Sequence, residues 1–265
     1  MNQKTAVNPV AAATVLICRD SPQGIEVFMV VRHHQIDFAS GALVFPGGKT
    51  DKGDYDSRLR ARCTAADGLD DEALAYYVSS IREAFEECGV LLARPRGSAA
   101  LIDGVRLKAL EPERGALVNG KIGFFDFLER EDLQLAIDEL HPFAHWITPE
   151  MVPKRFDTRF YLAKAPSDHV AAHDGSESVD SVWITPQQAL EGAQQGTYTV
   201  IFPTKLNIMK LGLSQTVDEA IARAGREPIV TVQPWIEQRA EGDFLTIPKA
   251  AGYPISEEKV RKLPS

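Results

Sequence analysis

The stretch IREAFEECGV, Ile81 to Val90, sets three carboxylates (Glu83, Glu86 and Glu87) within about one helical turn. At about 100° per residue, Leu74, Tyr77, Val78, Ile81, Ala84, Phe85 and Cys88 fall on one face, the stripe a helix buries. The three glutamates gather in an arc of about 100° on the other side, with Arg82 on the flank between. Like charges at this spacing cost about 0.2–0.5 kcal/mol per pair in water. The cluster is therefore either a solvated acidic face or a seat for hard divalent cations, which prefer carboxylate oxygens. Asp70, Asp71 and Glu72 suit the first turn of such a helix, where the dipole favours acids. Gly89 suits its stop. Cys88 lies on the packing face and reads as a core thiol.

Upstream, FPGGKTDKGDYD spans Phe45 to Asp56. A Pro-Gly-Gly turn before an acidic helix lets backbone approach the same ions, because glycine tolerates close contact. Before it, VAAATVLICR and IEVFMVVRH are apolar, β-branched runs separated by DSPQG, the pattern of a hairpin, and GALVF is a short third strand. Residues 49–69 show no hydrophobic period and are expected to form an insertion loop. Its part 55–69 should be a surface excursion beside the substrate entrance, outside the core. Downstream, LLARPRG reads as a strand and FFDFLEREDLQLAIDEL as the best helix of 95–140. HWITP, RFDTRFYLAKAP and ESVDSVWITP read as strands. PQQALEGAQQG, PTKLNIMKLGL and TVDEAIARAG read as helices, and short strands follow Ile229.

The chain has 265 residues, 44% hydrophobic and 25% charged, with net charge −8. That composition fits a globular α/β protein of one domain: a core over about 8–190, the insertion over about 49–69 and a largely helical elaboration over about 191–265. An acidic chain is unsuited to general nucleic-acid binding and to anionic membrane surfaces. Three cysteines without metal spacing argue for free thiols in a reducing compartment. NPVAAATVLICRD reads as a first strand rather than a secretion signal, and no apolar run reaches the roughly 20 residues of a membrane span. The closing KLPS is not a peroxisomal Ser-Lys-Leu address. The expected location is the cytoplasm.

REAFEECGV resembles the second half of the Nudix box, Arg-Glu-aliphatic-x-Glu-Glu-x-Gly-aliphatic, with Ala84 at the aliphatic place. GGKTDKGD resembles the first half, Gly-x5-Glu, with Asp54 where the family has Glu. Arg82 stands 34 residues after Gly48, against fourteen in the usual box, so about twenty residues are inserted. Leu74 occupies the place the usual spacing would give the first Glu and cannot serve as one. The split box, HPFAHWITPE with KRFDTRFYLA, PTKLNIMKL and FLTIPKAAGYP are similar to a long-insert branch that includes peroxisomal coenzyme A diphosphatases and bacterial relatives.

The resemblance implies an α/β/α sandwich with a mixed sheet that hydrolyses a nucleoside diphosphate derivative with Mg2+ or Mn2+. It makes Glu86, Glu87, Glu83 and the Gly48 carbonyl metal ligands, Glu83 a ligand or general base, and Arg82 the residue that orients the acids. A further acid would be Glu177, with Asp174 and Asp180 as rivals, or Asp54. Coenzyme A or an acyl-CoA is the expected substrate. ADP-ribose or a dinucleotide is the alternative, and a non-catalytic ligand-sensing domain the alternative of another class. A coenzyme A 3′-phosphate would need a cation, for which Arg159, Arg155 and Lys154 are candidates. The Leu- and Phe-rich stretch 95–140 would form the groove for the pantetheine arm. The expected partner is a small-molecule substrate, with no nucleic acid and no membrane, and a homodimer is the assembly considered.

Overall fold

The computed structural model describes residues 7–32, 41–169, 171 and 178–260. The two β-branched runs form β1 (Val10–Ser21) and β2 (Gly24–Arg32), a hairpin closed by Gly24 at φ +108°. β3 (Leu43–Val44) and β4 (Gly47–Lys49) precede α1 (Asp71–Cys88). Then come β5 (Ala93–Pro95), α2 (Gly104–Ala109), α3 (Glu111–Val118), α4 (Phe124–Arg130) and β6 (Leu133–Leu135). β7 (His141–Ile147), β8 (Phe156–Lys164) and β9 (Ser178–Ile184) complete the middle of the chain. The C-terminal part holds α5 (Pro186–Gln194), α6 (Phe202–Leu211), α7 (Val217–Ala224) and β10 (Thr231–Val232). It ends in β11 (Trp235–Arg239), β12 (Gly242–Thr246) and β13 (Glu257–Lys259), a separate small sheet.

The main sheet runs β10-β7-β8-β1-β2-β3, with β4 also on β1 and β9 also on β2. It is mixed: β1 and β8 are parallel, β7 and β8 antiparallel. Side chains alternate between its faces. Ala13, Val15, Ile17, Phe28, Val30 and Tyr161 join one core with the apolar stripe of α1 and with Phe127 and Leu128 of α4. Leu16, Cys18, Val27, Met29 and Leu162 join a second core with Ala189, Leu206, Leu211, Val217 and Ala220 of α5–α7. The result is the expected α/β/α sandwich. Among the described residues no helix is long and apolar enough to cross a membrane.

Two expectations are corrected. The stretch 55–69 is not a surface excursion. It continues a 3-10 turn over Lys52–Tyr55 into another over Ser57–Arg62, and Leu59 is 0% exposed in the first core, joined there by Ala66. Arg62 is buried and donates to Asp132 (3.2 Å), the Thr64 amide donates to the Leu135 carbonyl (2.9 Å), and Arg58 lies 4.0 Å over the Phe125 ring. A 3-10 turn repeats every three residues in short pieces, so it buries single positions without a legible period. The second correction concerns FFDFLEREDLQLAIDEL, which is helical only over Phe124–Arg130. Asp132 takes φ +49°, a conformation Asp tolerates better than most residues. It turns the chain into β6, which pairs with β5.

Candidate active site

α1 is built to carry its acids. Asp70 caps it by accepting the Ala73 amide (2.7 Å), and Gly89 ends it at φ +69°. The face bearing Glu83, Glu86 and Glu87 is not solvated. Their exposures are 12% and 19% for the Glu83 and Glu86 side chains and 8% for Glu87. The glycine turn accounts for this. Gly47 lies at φ +154°, where a Cβ would meet the Ala13 carbonyl oxygen of β1 at 2.4 Å. Its amide donates to Glu87 Oε2 (2.8 Å). Gly48 presses on Glu83 so closely that an added Cβ would stand 2.6 Å from Oε1.

Arg82 sits at the centre of the cluster. Its Nε and Nη2 donate to the two carboxylate oxygens of Asp54 (2.8 and 2.9 Å). Nη1 reaches Glu86 Oε2 (2.8 Å) and Glu83 Oε1 (2.9 Å), and Nη2 also meets the Lys49 carbonyl (3.1 Å). Asp54, 2% exposed, is fixed further by the Asp51 amide (2.7 Å). The insertion does not separate Asp54 from Arg82, because the added residues lie between Asp54 and α1 and pack into the first core before the chain returns to the site.

Burial pushes the Glu83 carboxyl up to about 7; Arg82 opposes that shift and Glu86 reinforces it. Burial also raises Glu86, again against Arg82. Burial disfavours the charge of Arg82, yet the hydrogen bond to Asp54 and the charges of Glu83, Asp54 and Glu86 raise it overall. Three carboxylates, Asp54, Glu83 and Glu86, thus face one guanidinium, and Glu87 stands beside them on the Gly47 amide. Oxygen donors with excess negative charge are the chemistry of Mg2+ and Mn2+ sites. In this arrangement the acids are turned to Arg82 and the Gly47 amide, and among the described residues no three His, Cys, Asp or Glu side chains enclose a common point.

The cluster opens at one end of a cavity of about 890 Å3. Its floor follows from sheet register. Lys49, Ala12, Thr158 and Trp146 are successive partners across β4, β1, β8 and β7, so they share one face. Ala12 and Thr158 are small and leave space. Phe156, Phe160 and Trp146 rise beyond them, with Phe202 at the start of α6 and Leu245 of β12 also lining the space. None of residues 95–140 lines it. The expected groove there is corrected: its Leu and Phe side chains fill the first core.

Two expected substrate cations are also corrected. Arg155 is buried and donates to the carbonyls of Thr148 (3.0 Å) and Val7 (2.9 Å). Arg159 alternates with Thr158 and Phe160 on β8 and so faces away from the cavity, 5.4 Å over the Tyr76 ring and 4.0 Å from Asp157. Asp157 instead pairs with His145 (2.6 Å), which also meets Thr231 (2.7 Å). Lys154 does line the cavity, as do Lys49 and Lys52, which sequence reasoning missed although both flank the glycine turn. Glu177 and Asp174 lie outside the described residues. Asp180 is exposed on β9, accepts the Ser181 amide (2.8 Å) and does not line the cavity. Cys18, Cys63 and Cys88 are free thiols.

A family model, the NUDT19 Nudix domain, matches residues 58–211. A Caenorhabditis elegans protein called putative nudix hydrolase 7 is 27% identical over 76% of this chain and 59% of its own length. Human acyl-coenzyme A diphosphatase NUDT19 is 35% identical over 45% of this chain and 34% of its own. The match thus spans less than two thirds of either relative. The crystal structure of a Nudix hydrolase from Alicyclobacillus acidocaldarius has a TM-score of 0.70 at 25% identity, covering 82% of this chain and 97% of that one.

Proposed function

The chain belongs to the Nudix hydrolase family, with the NUDT19 Nudix domain as its matching model, and from that premise we propose that it hydrolyses the diphosphate bond of a nucleoside diphosphate derivative. The observation that carries this reading is the buried acid cluster on Arg82, pressed against the Gly47–Gly48 turn at one end of a largely apolar cavity. A diphosphate is strongly anionic, and the acids bar it without a cation. Glu83, Glu86, Glu87 and the Gly48 carbonyl would hold Mg2+ or Mn2+. Such an ion, when bound, lowers the pKa of its water and offsets charge on the phosphates.

The side chains have separable tasks. Arg82 fixes Glu83 and Glu86 through Nη1 and is itself fixed by Asp54. Glu83 serves as ligand or as the base that takes a proton from the attacking water. Gly48 has no side chain, so substrate and acids approach the same backbone. The apolar cavity supports a substrate with a long organic arm, and coenzyme A or an acyl-CoA meets that requirement. Its 3′-phosphate would be met by Lys49, Lys52 or Lys154.

A substrate panel of coenzyme A, an acyl-CoA, ADP-ribose and a diadenosine polyphosphate, assayed with Mg2+ and with Mn2+, tests the reading. Cleavage at the diphosphate that stops in chelator is the expected outcome. Turnover that persists in excess chelator would remove the metal role.

A further inference from the structure

We propose that Trp146 is the end wall that measures the length of the substrate's arm, and that Tyr253 and Asn207 are the positioning residues that hold it there. The proposal rests on the diphosphatase reading for the class of ligand.

The register gives the distance. Lys49, beside the glycine turn, and Trp146 stand at opposite ends of a row that crosses β4, β1, β8 and β7. Three strand spacings make that row about 14 Å long. Between the two ends the row holds only Ala12 and Thr158, so an extended arm leaving a diphosphate at Gly48 can lie along it. The arm then meets the indole of Trp146, which is 3% exposed.

An end wall selects by length only if it cannot move. Here Trp146 is tied from behind. Its Nε1–H donates to Tyr253 Oη (2.7 Å), and the Tyr253 hydroxyl donates in turn to Asn207 Oδ1 (2.9 Å). The indole N–H can only donate, so Tyr253 Oη is its acceptor and the Tyr253 hydrogen turns to Asn207 Oδ1, which orients the indole and the phenol. Asn207 is 0% exposed, so no water competes from bulk solvent. The Tyr253 ring meets the indole edge-on at 5.5 Å and Phe202 does so at 6.2 Å. Lys210, one turn after Asn207 on α6, places its ammonium 5.6 Å from the Tyr253 ring centre. The C-terminal part of the chain therefore braces the far end of a cavity whose acidic end is built by the N-terminal part.

The test uses adenosine 5′-diphosphate esters of linear alcohols of increasing length, with Mg2+. In the wild type, kcat/KM should rise about fourfold per added methylene buried, until the chain spans the floor, and fall beyond that length. Trp146→Ala should move the fall to longer chains. Tyr253→Phe, which removes both hydrogen bonds at nearly constant volume, should blur it while leaving kcat for the shortest ester unchanged. An equally sharp fall at the same length in the wild type and Tyr253→Phe would overturn the proposal, and this variant decides alone if Trp146→Ala does not fold. Failure to cleave the shortest ester would count against the diphosphatase reading instead. The length profile would then be read by calorimetric titration of the same esters, where an unchanged profile in Tyr253→Phe would again overturn the end wall.

Discussion

Arg82 and Asp54 form two hydrogen bonds inside a site where Asp54 has no exposed side-chain surface. Removing one partner of a buried ion pair leaves an uncompensated charge and costs about 3–5 kcal/mol. Asp54→Ala should therefore unfold in urea with a loss of that size. A loss under about 1 kcal/mol, the scale of exposed pairs, would show that Arg82 finds compensation in Glu83 and Glu86 alone. Glu86→Gln and Glu87→Gln should behave differently, abolishing divalent-dependent hydrolysis at nearly constant stability. Both keep an oxygen to accept its hydrogen bond, and each removes one of several crowded negative charges; retained activity in either would exclude that ligand. Asp157 offers a pH test away from the cluster. The hydrogen bond from His145 lowers its carboxyl, burial opposes, and the charge of His145 adds to the lowering. A lowered folded pKa gives stability that is present above the unfolded value of about 3.9 and is lost as pH falls through the folded one. The Tm gap between wild type and Asp157→Asn should be full near neutrality and close in acid; a constant gap would contradict the linkage. The same strand shows what the sequence hides. Strand alternation puts Asp157 and Arg159 on one face of β8 but does not say which side that face looks to, and the cavity lies under Phe156, Thr158 and Phe160.

At the scale of elements, the acidic helix was legible because acidic start, apolar stripe and glycine stop bracket Asp71–Cys88, although Asp70 stands as the cap just before the first turn and not within it. The insertion was not. Its burial comes from Leu59 and Ala66, isolated apolar residues in a polar stretch, and their partners in the first core are distant in sequence. The insert contacts α4 and β6, and it does not wall the cavity beyond its first residues. Replacing 56–69 by a short linker should therefore lower Tm strongly and leave KM of any surviving folded enzyme close to wild type. Leu59→Ala is the milder probe, with an expected loss of about 2–5 kcal/mol in urea unfolding. A changed KM at constant Tm would return the insert to the substrate entrance.

At the scale of the whole molecule, the site is composite. The acids come from α1, the close backbone from β4, the floor from β1 and β8, and the far wall from β7, α6 and β12. No local pattern announces such a cavity, since its parts lie more than 200 residues apart in the chain (Ala12 to Leu245). The same geometry orders the cations. Lys49 and Lys52 adjoin the glycine turn, whereas Lys154 lies 5.9 Å over the ring of Phe156. By register, Phe156 is two strands across from β4 and two residues beyond the row of Lys49, about 12 Å away. A 3′-phosphate hangs on the same ribose as the diphosphate and stays near the turn, so Lys49 and Lys52 are the better partners. The expectation is that wild type prefers coenzyme A over its 3′-dephospho form by tenfold or more in kcat/KM, about 1.4 kcal/mol. Lys52→Ala or Lys49→Ala should erase most of that preference, while Lys154→Ala should keep it. Loss of the preference only in Lys154→Ala would turn the substrate around in the cavity, and equal or better turnover of ADP-ribose by the wild type would reject coenzyme A as the substrate.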